Sequence, residues 1–418
     1  MNLRQKIEQE IREHGPLPFS RYMEMCLYDP ELGYYSSNAE KFGKAGDFYT
    51  SSDVHAVFGR VLARQFEEMW RALGKPEQME ILELGPGRGL FAQDVLDWSE
   101  KKFPDFYGAL HYTLEERAPS LREKLRSRFR GKLEAGKLSL LPQIENFPIK
   151  TLPETAQPST GEDSRHSIES SIVNRRAGHV SRAASSEKLR ALPSEVPLIV
   201  FANEFFDALP VEVLSEKGSL RINVREQNFV EQWAPASAEE LEFLDRYGLH
   251  PEGDIRTEVA LLSQQQISHY AEVMQTGFFV VIDYGYTREE QLAGRHLGTI
   301  MAYRQHSASP NPYEAPGEQD ITAHVNFTAL AAAAEQNGMH AHKLRTQSQF
   351  LLGIGEANQF ADAFEDCRLP QERAKVALQL KHLVTPAGMG ETFHVLIASK
   401  GIDEKTAAGL SGMSFAKS

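Results

Sequence analysis

The chain has 418 residues, of which 41% are hydrophobic and 25% are charged, a composition typical of a globular protein with a full core. Its formal net charge of −13 argues against a protein that binds nucleic acid unspecifically, because such proteins need a dominant basic face. The two cysteines, Cys26 and Cys367, are too few for a disulfide framework or for a zinc site built from cysteines.

The N-terminal 75 residues are predicted to form a cap with helical and aromatic segments. Leu3, Ile7 and Ile11 lie four residues apart, the spacing of one apolar stripe on a helix. This helix lacks the continuous apolar core of a secretory signal, and it contains acidic residues, in which mitochondrial presequences are poor. No apolar run approaches the ~20 residues that span a bilayer. We therefore expect a cytoplasmic protein that does not insert into membranes.

An alternation of strands and helices is predicted from Gln78 onward, preceded by an amphipathic helix from Val57 to Leu73. The predicted strands are MEILELG, ALHYTLEE, KLSLL, PLIVFAN, GFFVVIDYG, HAHKLRTQ and ETFHVLIASK. The predicted helices between them are LFAQDVLDWSEKKF, PSLREKLRSRF and a hairpin of Ala236–Tyr247 and Arg256–Met274. Strands separated by helices form a parallel sheet that is covered on both faces. We predict an α/β fold over residues 76–400, with a Rossmann-like, mostly parallel sheet of seven strands and a large excursion between strands five and six.

Residues 151–192 interrupt this alternation. They are rich in Ser, Arg and Pro and poor in large apolar residues, so they cannot bury enough surface to order themselves. We interpret them as a flexible surface insertion that the fold tolerates, with a basic docking loop as the alternative. The tail at 401–418 is expected to be mobile as well.

A glycine-rich run, LELGPGRG, follows the first predicted strand and opens a helix. Gly85, Gly87 and Gly89, with Pro86 after the first glycine, let the backbone turn sharply and approach a ligand closely. The spacing differs from the nicotinamide fingerprint, since the third glycine comes one residue early. Glu83 stands where methyltransferases commonly place an acid near the methionine part of their cofactor. The loop therefore predicts an S-adenosylmethionine site, with a glycine-rich turn of another doubly wound protein as the alternative.

The second predicted strand ends in two acids, Glu115 and Glu116. In doubly wound folds an acid at this place grips the ribose hydroxyls of the cofactor. Tyr112, Leu114 and Glu116 alternate onto one face of the strand, which favours Glu116 and leaves Glu115 as the alternative.

Several stretches of the chain resemble one family. They are PLPFSRYMEMCLYDPELGYY, FGKAGDFYTSSD, LELGPGRG, ANEFFDALPVE, VVIDYG, GTIMAYRQH and PGEQDITAHVNF, spread from residue 16 to residue 327. The chain thus resembles the MidA family of methyltransferases, whose mitochondrial members assist respiratory complex I assembly by dimethylating an arginine of a core subunit. The resemblance implies a class I methyltransferase fold and a protein substrate, with a respiratory-complex subunit among the candidates. The doubled glutamate of the second strand and the length of the insertion depart from the family pattern.

The segment after the fourth strand carries the candidate chemistry. Ligands of open α/β sheets lie at the carboxyl ends of strands, which places Asn203, Glu204 and Asp207 near the methyl group. Carboxylates bind a planar guanidinium in a fork and hold one nitrogen in line for attack. Glu204 and Asp207 are the catalytic candidates, on one side of the segment if it is helical. Asn203 is a candidate cofactor contact. The alternative is that Glu204 or Asp207 caps the following helix or fixes the end of the strand.

Two further residues, Asp283 and His324, are predicted to lie near the same carboxyl ends of the strands. Asp283, at the end of the fifth strand, contacts substrate or closes a turn, and the turn is the favoured interpretation. His324 is a candidate proton acceptor because histidine titrates near neutrality. The alternative is a structural histidine before a helix that Thr322 or Asp320 caps.

Tyr49 and Thr50, in the run FYTSS of the cap, are candidates for a lid over cofactor or substrate, with packing of the cap on the sheet as the alternative. His340 and His342 lack a third ligand, so we expect no metal. The leading hypothesis is an S-adenosylmethionine-dependent arginine methyltransferase acting on a protein. An assembly factor that uses the cofactor structurally and a small-molecule methyltransferase are the alternatives. The sequence leaves the oligomeric state open.

Overall fold

A computed structural model describes residues 1–36, 56–142, 195–226, 228–294, 298–304, 307–356 and 358–414. The predicted insertion at 151–192 and the lid candidates Tyr49 and Thr50 lie outside the described residues.

The helices are, in chain order, α1 (Leu3–His14), α2 (Phe19–Tyr28), α3 (Ala56–Ala72), α4 (Leu90–Lys102), α5 (Pro104–Ala109), α6 (Pro119–Arg128), α7 (Arg130–Glu134), α8 (Ala238–Tyr247), α9 (Leu261–Val273), α10 (Arg288–Leu292), α11 (Phe327–Gln336), α12 (Gln347–Glu356), α13 (Ala361–Phe364), α14 (Pro370–Val384), α15 (Glu404–Ala408) and α16 (Ser411–Ser414). Within the described ranges, none of them combines the length and hydropathy of a membrane-spanning segment.

The strands are β1 (Leu17–Pro18), β2 (Met79–Leu84), β3 (Leu110–Glu116), β4 (Leu138–Pro142), β5 (Leu198–Asn203), β6 (Glu212–Ser215), β7 (Gly218–Arg225), β8 (Asn228–Ala234), β9 (Thr257–Val259), β10 (Gly277–Tyr286), β11 (Met301–Arg304), β12 (Ser307–Ser309), β13 (Asp320–Thr322), β14 (Val325–Asn326), β15 (His340–Ala341), β16 (Arg345–Thr346) and β17 (Phe393–Lys400).

The main sheet has the order β15-β17-β10-β5-β2-β3-β4, with β14 paired beside β10 and β16 beside β17. Strands β10, β5, β2, β3 and β4 run parallel to one another, and β17 pairs antiparallel with β10. The predicted strand HAHKLRTQ forms two short strands, β15 and β16, which both pair with β17. Every residue of β2 and β10 is buried, as expected for central strands covered on both faces. The sheet therefore gives the molecule its mixed α/β, Rossmann-like character.

Helices cover both faces of this sheet. On one face, α3 and α4 pack with the strands, and Phe91 stacks on Phe201 of β5 with ring centres 4.4 Å apart. On the other face, α9 and α11 pack against Leu82, Val200 and Phe279. Helix α3, which the predicted boundary at residue 75 assigns to the cap, thus contributes to the core of the main sheet. The boundary itself stays a prediction.

A second, antiparallel sheet with the order β1-β7-β6-β9, and β8 beside β7, was not predicted from the sequence. It also corrects the predicted helix Arg256–Met274: residues 257–259 pair with β6, and the helix begins at Leu261. A small sheet of β12, β11 and β13 follows β10. One apolar cluster joins the N-terminal helices to the second sheet and to the small sheet, with Tyr22, Val213 and Ile321 among its members. Residues 1–36 therefore pack on these two sheets.

Candidate functional site

The glycine-rich loop joins β2 to α4 at the carboxyl edge of the main sheet. Gly85, Gly87 and Gly89 have φ angles of 61°, 53° and 71°, in the left-handed region that favours glycine. A Cβ on Gly89 would lie 2.6 Å from Leu125 Cδ2 and 2.7 Å from Phe129 Cε2 of α6 and its end. Small residues are thus required for conformation and for space, as expected of a loop that brings a helix N-terminus close to a ligand.

Glu83 lies at the end of β2 directly before this loop. Its side chain is buried and accepts a hydrogen bond of 2.8 Å from the Tyr112 hydroxyl. Burial raises the pKa of Glu83 to about 8, although the Tyr112 hydroxyl opposes the shift. A buried carboxyl of this kind gains most from a cationic group beside it, because that group restores its charged form. An ammonium such as that of the methionine part of S-adenosylmethionine fits this requirement.

Glu115 and Glu116 point to opposite faces of β3. Glu116 Oε1 accepts the Ala118 backbone N–H at 2.8 Å, and the N–H of Gly87 helps to lower its pKa. Burial nevertheless raises the pKa of Glu116 to about 7. Glu115 instead accepts the hydroxyl of Tyr270 on α9 at 2.8 Å. Of the two acids, Glu116 is the one beside the glycine-rich loop.

We call residues 204–210, after β5, the acceptor turn. Glu204 adopts φ 49°, a left-handed conformation that is costly for a residue with a side chain. Its backbone N–H donates to Ile282 O at 2.9 Å, and the Asn203 amide donates to its Oε1 at 3.2 Å. Both side chains are half-buried. The segment is a turn that leads into strand β6, so the alternative in which Glu204 or Asp207 caps a following helix is wrong. Since the turn is not helical, helical spacing does not place the two carboxylates on one side.

Asp283 accepts hydrogen bonds from the backbone of the acceptor turn. Its Oδ2 accepts the backbone N–H groups of Phe205, Phe206 and Asp207 at 3.2, 3.0 and 3.3 Å, and Oδ1 accepts that of Tyr284 at 2.9 Å. The side chain is fully buried, and its burial with Asp207 and Glu204 nearby raises its pKa well above the ordinary value. These bonds use both oxygens for the backbone, which fits the turn-closing interpretation better than substrate contact.

The two oxygens of Asp207 differ in their hydrogen bonds. Oδ2 accepts the Tyr284 hydroxyl at 2.7 Å, whereas the buried Oδ1 accepts no hydrogen bond of normal geometry from the described part of the chain. Burial raises the pKa of Asp207 to about 6, and the Tyr284 hydroxyl and the backbone N–H groups of Ala208 and Asp207 oppose the shift. A buried carboxylate oxygen without a partner is costly, so a donor from a ligand would stabilise this site.

The His324 ring packs against the ring of Tyr284. Their rings meet edge to face with centres 5.1 Å apart, and the His324 backbone N–H donates to the Thr299 hydroxyl at 3.0 Å. The helix that follows, α11, is capped by Asn326, whose side chain accepts the Ala329 N–H. The expectation that Thr322 or Asp320 caps it is therefore wrong. Both lie in β13, three or more residues before the helix begins.

The N-terminal segment contributes side chains that sequence reasoning did not assign. The Tyr28 hydroxyl donates to Ala208 O in the acceptor turn at 2.9 Å, and the Tyr35 hydroxyl donates to Asp320 Oδ1 at 2.8 Å. Both tyrosines belong to the run LYDPELGYY. Only the fold brings this run to the acceptor turn.

The arrangement can bind an elongated ligand across the ends of β2, β3 and β5. The candidate cofactor side consists of the glycine-rich loop, Glu83, Glu116 and Asn203. The candidate acceptor side consists of Glu204 and Asp207. Among the described residues there is no group of three or more side chains suited to hold a metal ion.

Comparison with known proteins identifies relatives over most of the chain. A family model described as S-adenosyl-L-methionine-dependent methyltransferase matches residues 61–345. A Drosophila melanogaster protein named "Protein arginine methyltransferase NDUFAF7 homolog, mitochondrial" is 29% identical, over 96% of this chain and 85% of its own length. The Danio rerio "Protein arginine methyltransferase NDUFAF7, mitochondrial" is 28% identical, over 93% of this chain and 84% of its own length.

A solved structure of similar fold comes from Burkholderia thailandensis and was crystallised with S-adenosyl-homocysteine. It superposes with a TM-score of 0.73 at 26% sequence identity, over 99% of this chain and 94% of the other. A product of S-adenosylmethionine-dependent transfer is thus bound by a protein with the same fold.

Proposed function

This chain belongs to the MidA family of S-adenosylmethionine-dependent methyltransferases, and from that premise we propose that it methylates an arginine side chain of a protein substrate. The enzyme uses S-adenosylmethionine, as the family match and the S-adenosyl-homocysteine complex of its structural relative indicate. The observation that carries the arginine proposal is the acceptor turn, with the half-buried Glu204 and the unpartnered oxygen of Asp207. The relatives named as protein arginine methyltransferases support it.

The cofactor site in this proposal consists of Glu83, Gly85, Pro86, Gly87, Gly89, Glu116 and Asn203. Glu83 receives the ammonium of the amino-acid part, because its burial favours a cationic partner. Glu116 receives the ribose hydroxyls beside the loop. When bound, S-adenosylmethionine supplies a methyl group on a positively charged sulfur.

The acceptor site in this proposal consists of Glu204 and Asp207. A guanidinium presents several N–H donors in one plane, so two carboxylates orient it and disperse its charge. The half-burial of Glu204 directly after β5 supports this role. Asp207 offers Oδ1, while Tyr284 fixes its other oxygen. Alignment of one nitrogen with the methyl group is the main requirement of a direct displacement.

We propose further that the path β15-β17-β10-β5-β2-β3-β4 is the seven-stranded class I sheet, and that β11 to β13 belong to the excursion before its last two strands. The partner is proposed to be a protein with an accessible arginine. A cytoplasmic location remains a prediction from the sequence, since the relatives above are named as mitochondrial.

The test is methyl transfer from labelled S-adenosylmethionine into proteins of a lysate that lacks this enzyme, followed by hydrolysis to identify the methylated residue. We expect label in methylarginine, and we expect Glu204→Ala to lose about 100-fold or more of it, in the range of an oriented charge partner in a catalytic site. Glu226 provides a matched control, because it is also a glutamate in the left-handed region, with φ 50°, but lies in the turn between β7 and β8. Glu226→Ala should retain wild-type transfer. Label in another residue, or equal loss in both variants, would contradict the proposal.

A further inference from the structure

Side-chain contacts join the end of β3, helix α2 and the acceptor turn. Arg117 directly follows Glu116, and its guanidinium carbon lies 4.7 Å from the centre of the Tyr28 ring. Its Nη2 donates to Glu24 Oε1, also on α2, at 3.1 Å. The hydroxyl of Tyr28 donates to Ala208 O at 2.9 Å, one residue after Asp207. A continuous chain of contacts thus connects the ribose acid with the acceptor turn through the N-terminal segment.

Further contacts restrain the links of this chain. Arg122 Nη1 donates to the carbonyl oxygens of Glu116 and Arg117 at 2.8 and 2.5 Å, which fixes the backbone from which Arg117 projects. A guanidinium stacks on an aromatic ring through its flat face, whereas an ammonium lacks that face. Burial raises the pKa of Tyr28 far above its ordinary value, so its hydroxyl stays protonated and remains a donor to Ala208 O.

We propose that Arg117 and Tyr28 are positioning residues that couple occupancy of the ribose site at Glu116 to the placement of the acceptor turn. Neither residue touches the reacting atoms. The roles of Glu116 and of the acceptor turn in this inference rest on the proposed function. Binding at Glu116 restrains the end of β3, Arg117 passes that restraint to Tyr28, and Tyr28 holds the carbonyl beside Asp207. Contacts of this kind transmit a coupling between sites when both sites bias the same element.

The coupling is measured directly by hydrogen exchange with S-adenosyl-homocysteine as the probe. The peptide that covers residues 204–211 reports on the acceptor turn, and the peptide that covers 85–89 reports on cofactor binding. In the wild type, S-adenosyl-homocysteine should slow exchange in both peptides. In Tyr28→Phe, which keeps the ring under Arg117 but removes the bond to Ala208 O, the effect on 204–211 should fall about fivefold, as expected for one hydrogen bond. The effect on 85–89 should remain.

Arg117→Met should behave like Tyr28→Phe, and the double variant should lose no more than either single variant, because the two residues act in series. Arg117→Lys should not rescue the effect, since it keeps a charge near Glu24 without the stacking face. Lys137→Met is the matched control. Lys137 Nζ lies 4.3 Å from the centre of the Tyr107 ring, outside this chain of contacts, so its removal should leave the acceptor turn unchanged.

Methyl transfer separates the coupling from a purely structural role. In Tyr28→Phe and Arg117→Met we expect kcat at saturating S-adenosylmethionine to fall about fivefold or more, while the dissociation constant of S-adenosyl-homocysteine changes less than about threefold. Wild-type protection of 204–211 in either variant would overturn the inference, as would a wild-type enzyme in which S-adenosyl-homocysteine leaves that peptide unchanged. An enzyme that shows the coupling but labels no arginine would refute the proposed function and leave the coupling standing.

Discussion

At the scale of single residues, buried carboxyl groups dominate the site. Glu83, Glu116, Asp207 and Asp283 are all buried, and burial is the largest cause of the raised pKa of each. Removing a carboxylate from water disfavours its charged form unless a partner restores it. A cation or hydrogen-bond donors supplied by a ligand would therefore stabilise the charged forms of Glu83 and Glu116.

Cofactor binding should release protons near neutral pH. The pKa of Glu83 is raised to about 8 and that of Glu116 to about 7 in the protein alone. An ammonium at Glu83 and hydroxyl donors at Glu116 favour the charged forms and lower both pKa values. The affinity for S-adenosyl-homocysteine should therefore rise as the pH rises from about 6 to 8. Calorimetry in buffers of different ionisation enthalpy would measure the protons released.

Glu83→Gln is the variant that tests this cause. It removes the titrating group, so the pH dependence assigned to Glu83 should disappear while that of Glu116 remains. Affinity that is flat with pH in the wild type would contradict the assignment of these carboxyls to the cofactor. The raised pKa values of Glu83 and Glu116 also make the stability of the ligand-free protein depend on pH. Because the folded protein holds these protons more tightly than the unfolded chain, the stability that both groups contribute falls as the pH rises from the ordinary value of 4.5 to about 7 for Glu116 and to about 8 for Glu83.

At the scale of elements, the loop between β2 and α4 depends on space as well as on conformation. Gly89 and Gly136 both lie in the left-handed region, with φ 71° and 66°. A Cβ on Gly89 would meet Leu125 and Phe129 at less than 3 Å, whereas a Cβ on Gly136 would meet nothing within 4 Å. Comparing substitutions at Gly89 and Gly136 therefore distinguishes the cost of backbone strain from the cost of a steric clash.

Gly136→Ala should cost about 1–2 kcal/mol of stability from the left-handed conformation alone. Gly89→Ala should cost that amount and a further ~1–3 kcal/mol, because overpacking displaces α6 or the loop. Urea unfolding gives both values, and binding of S-adenosyl-homocysteine should weaken only in Gly89→Ala. Equal losses of stability with intact binding would show that the loop does not need close contact with α6.

Elements differ in how far their sequence predicts them. The strands of the main sheet are buried apolar runs between helices, so MEILELG and GFFVVIDYG are recognisable without a structure. The hairpin of β7 and β8 was missed although Leu220, Ile222 and Val224 alternate with polar residues, which is the pattern of a half-buried strand. Strand β9 was taken as helix because its three residues adjoin a longer helical pattern, and only pairing with β6 makes them extended.

At the scale of the whole molecule, the candidate site residues could be predicted from the sequence only where they belong to a local motif. The glycine-rich loop and the acids at the ends of β2 and β3 follow from their position after strands. The left-handed Glu204, the four backbone bonds of Asp283 and the contacts of Tyr28 arise between segments far apart in the chain. No spacing in the sequence specifies them, because they depend on how the main sheet, the second sheet and residues 1–36 meet.

The apolar cluster around the N-terminal helices has a consequence for biosynthesis. Leu3, Ile7 and Tyr22 leave the ribosome well before their partners in that cluster, which include Ile222 and Ile321. At a synthesis rate of ~5–20 residues per second, those partners follow on the order of 10–60 s later. During that interval the apolar face of the first helices has no native surface to cover it. Nascent chains stalled before β13 should therefore be cut readily by protease within residues 1–36 and recruit chaperones, and chains stalled after α11 has emerged should resist cleavage.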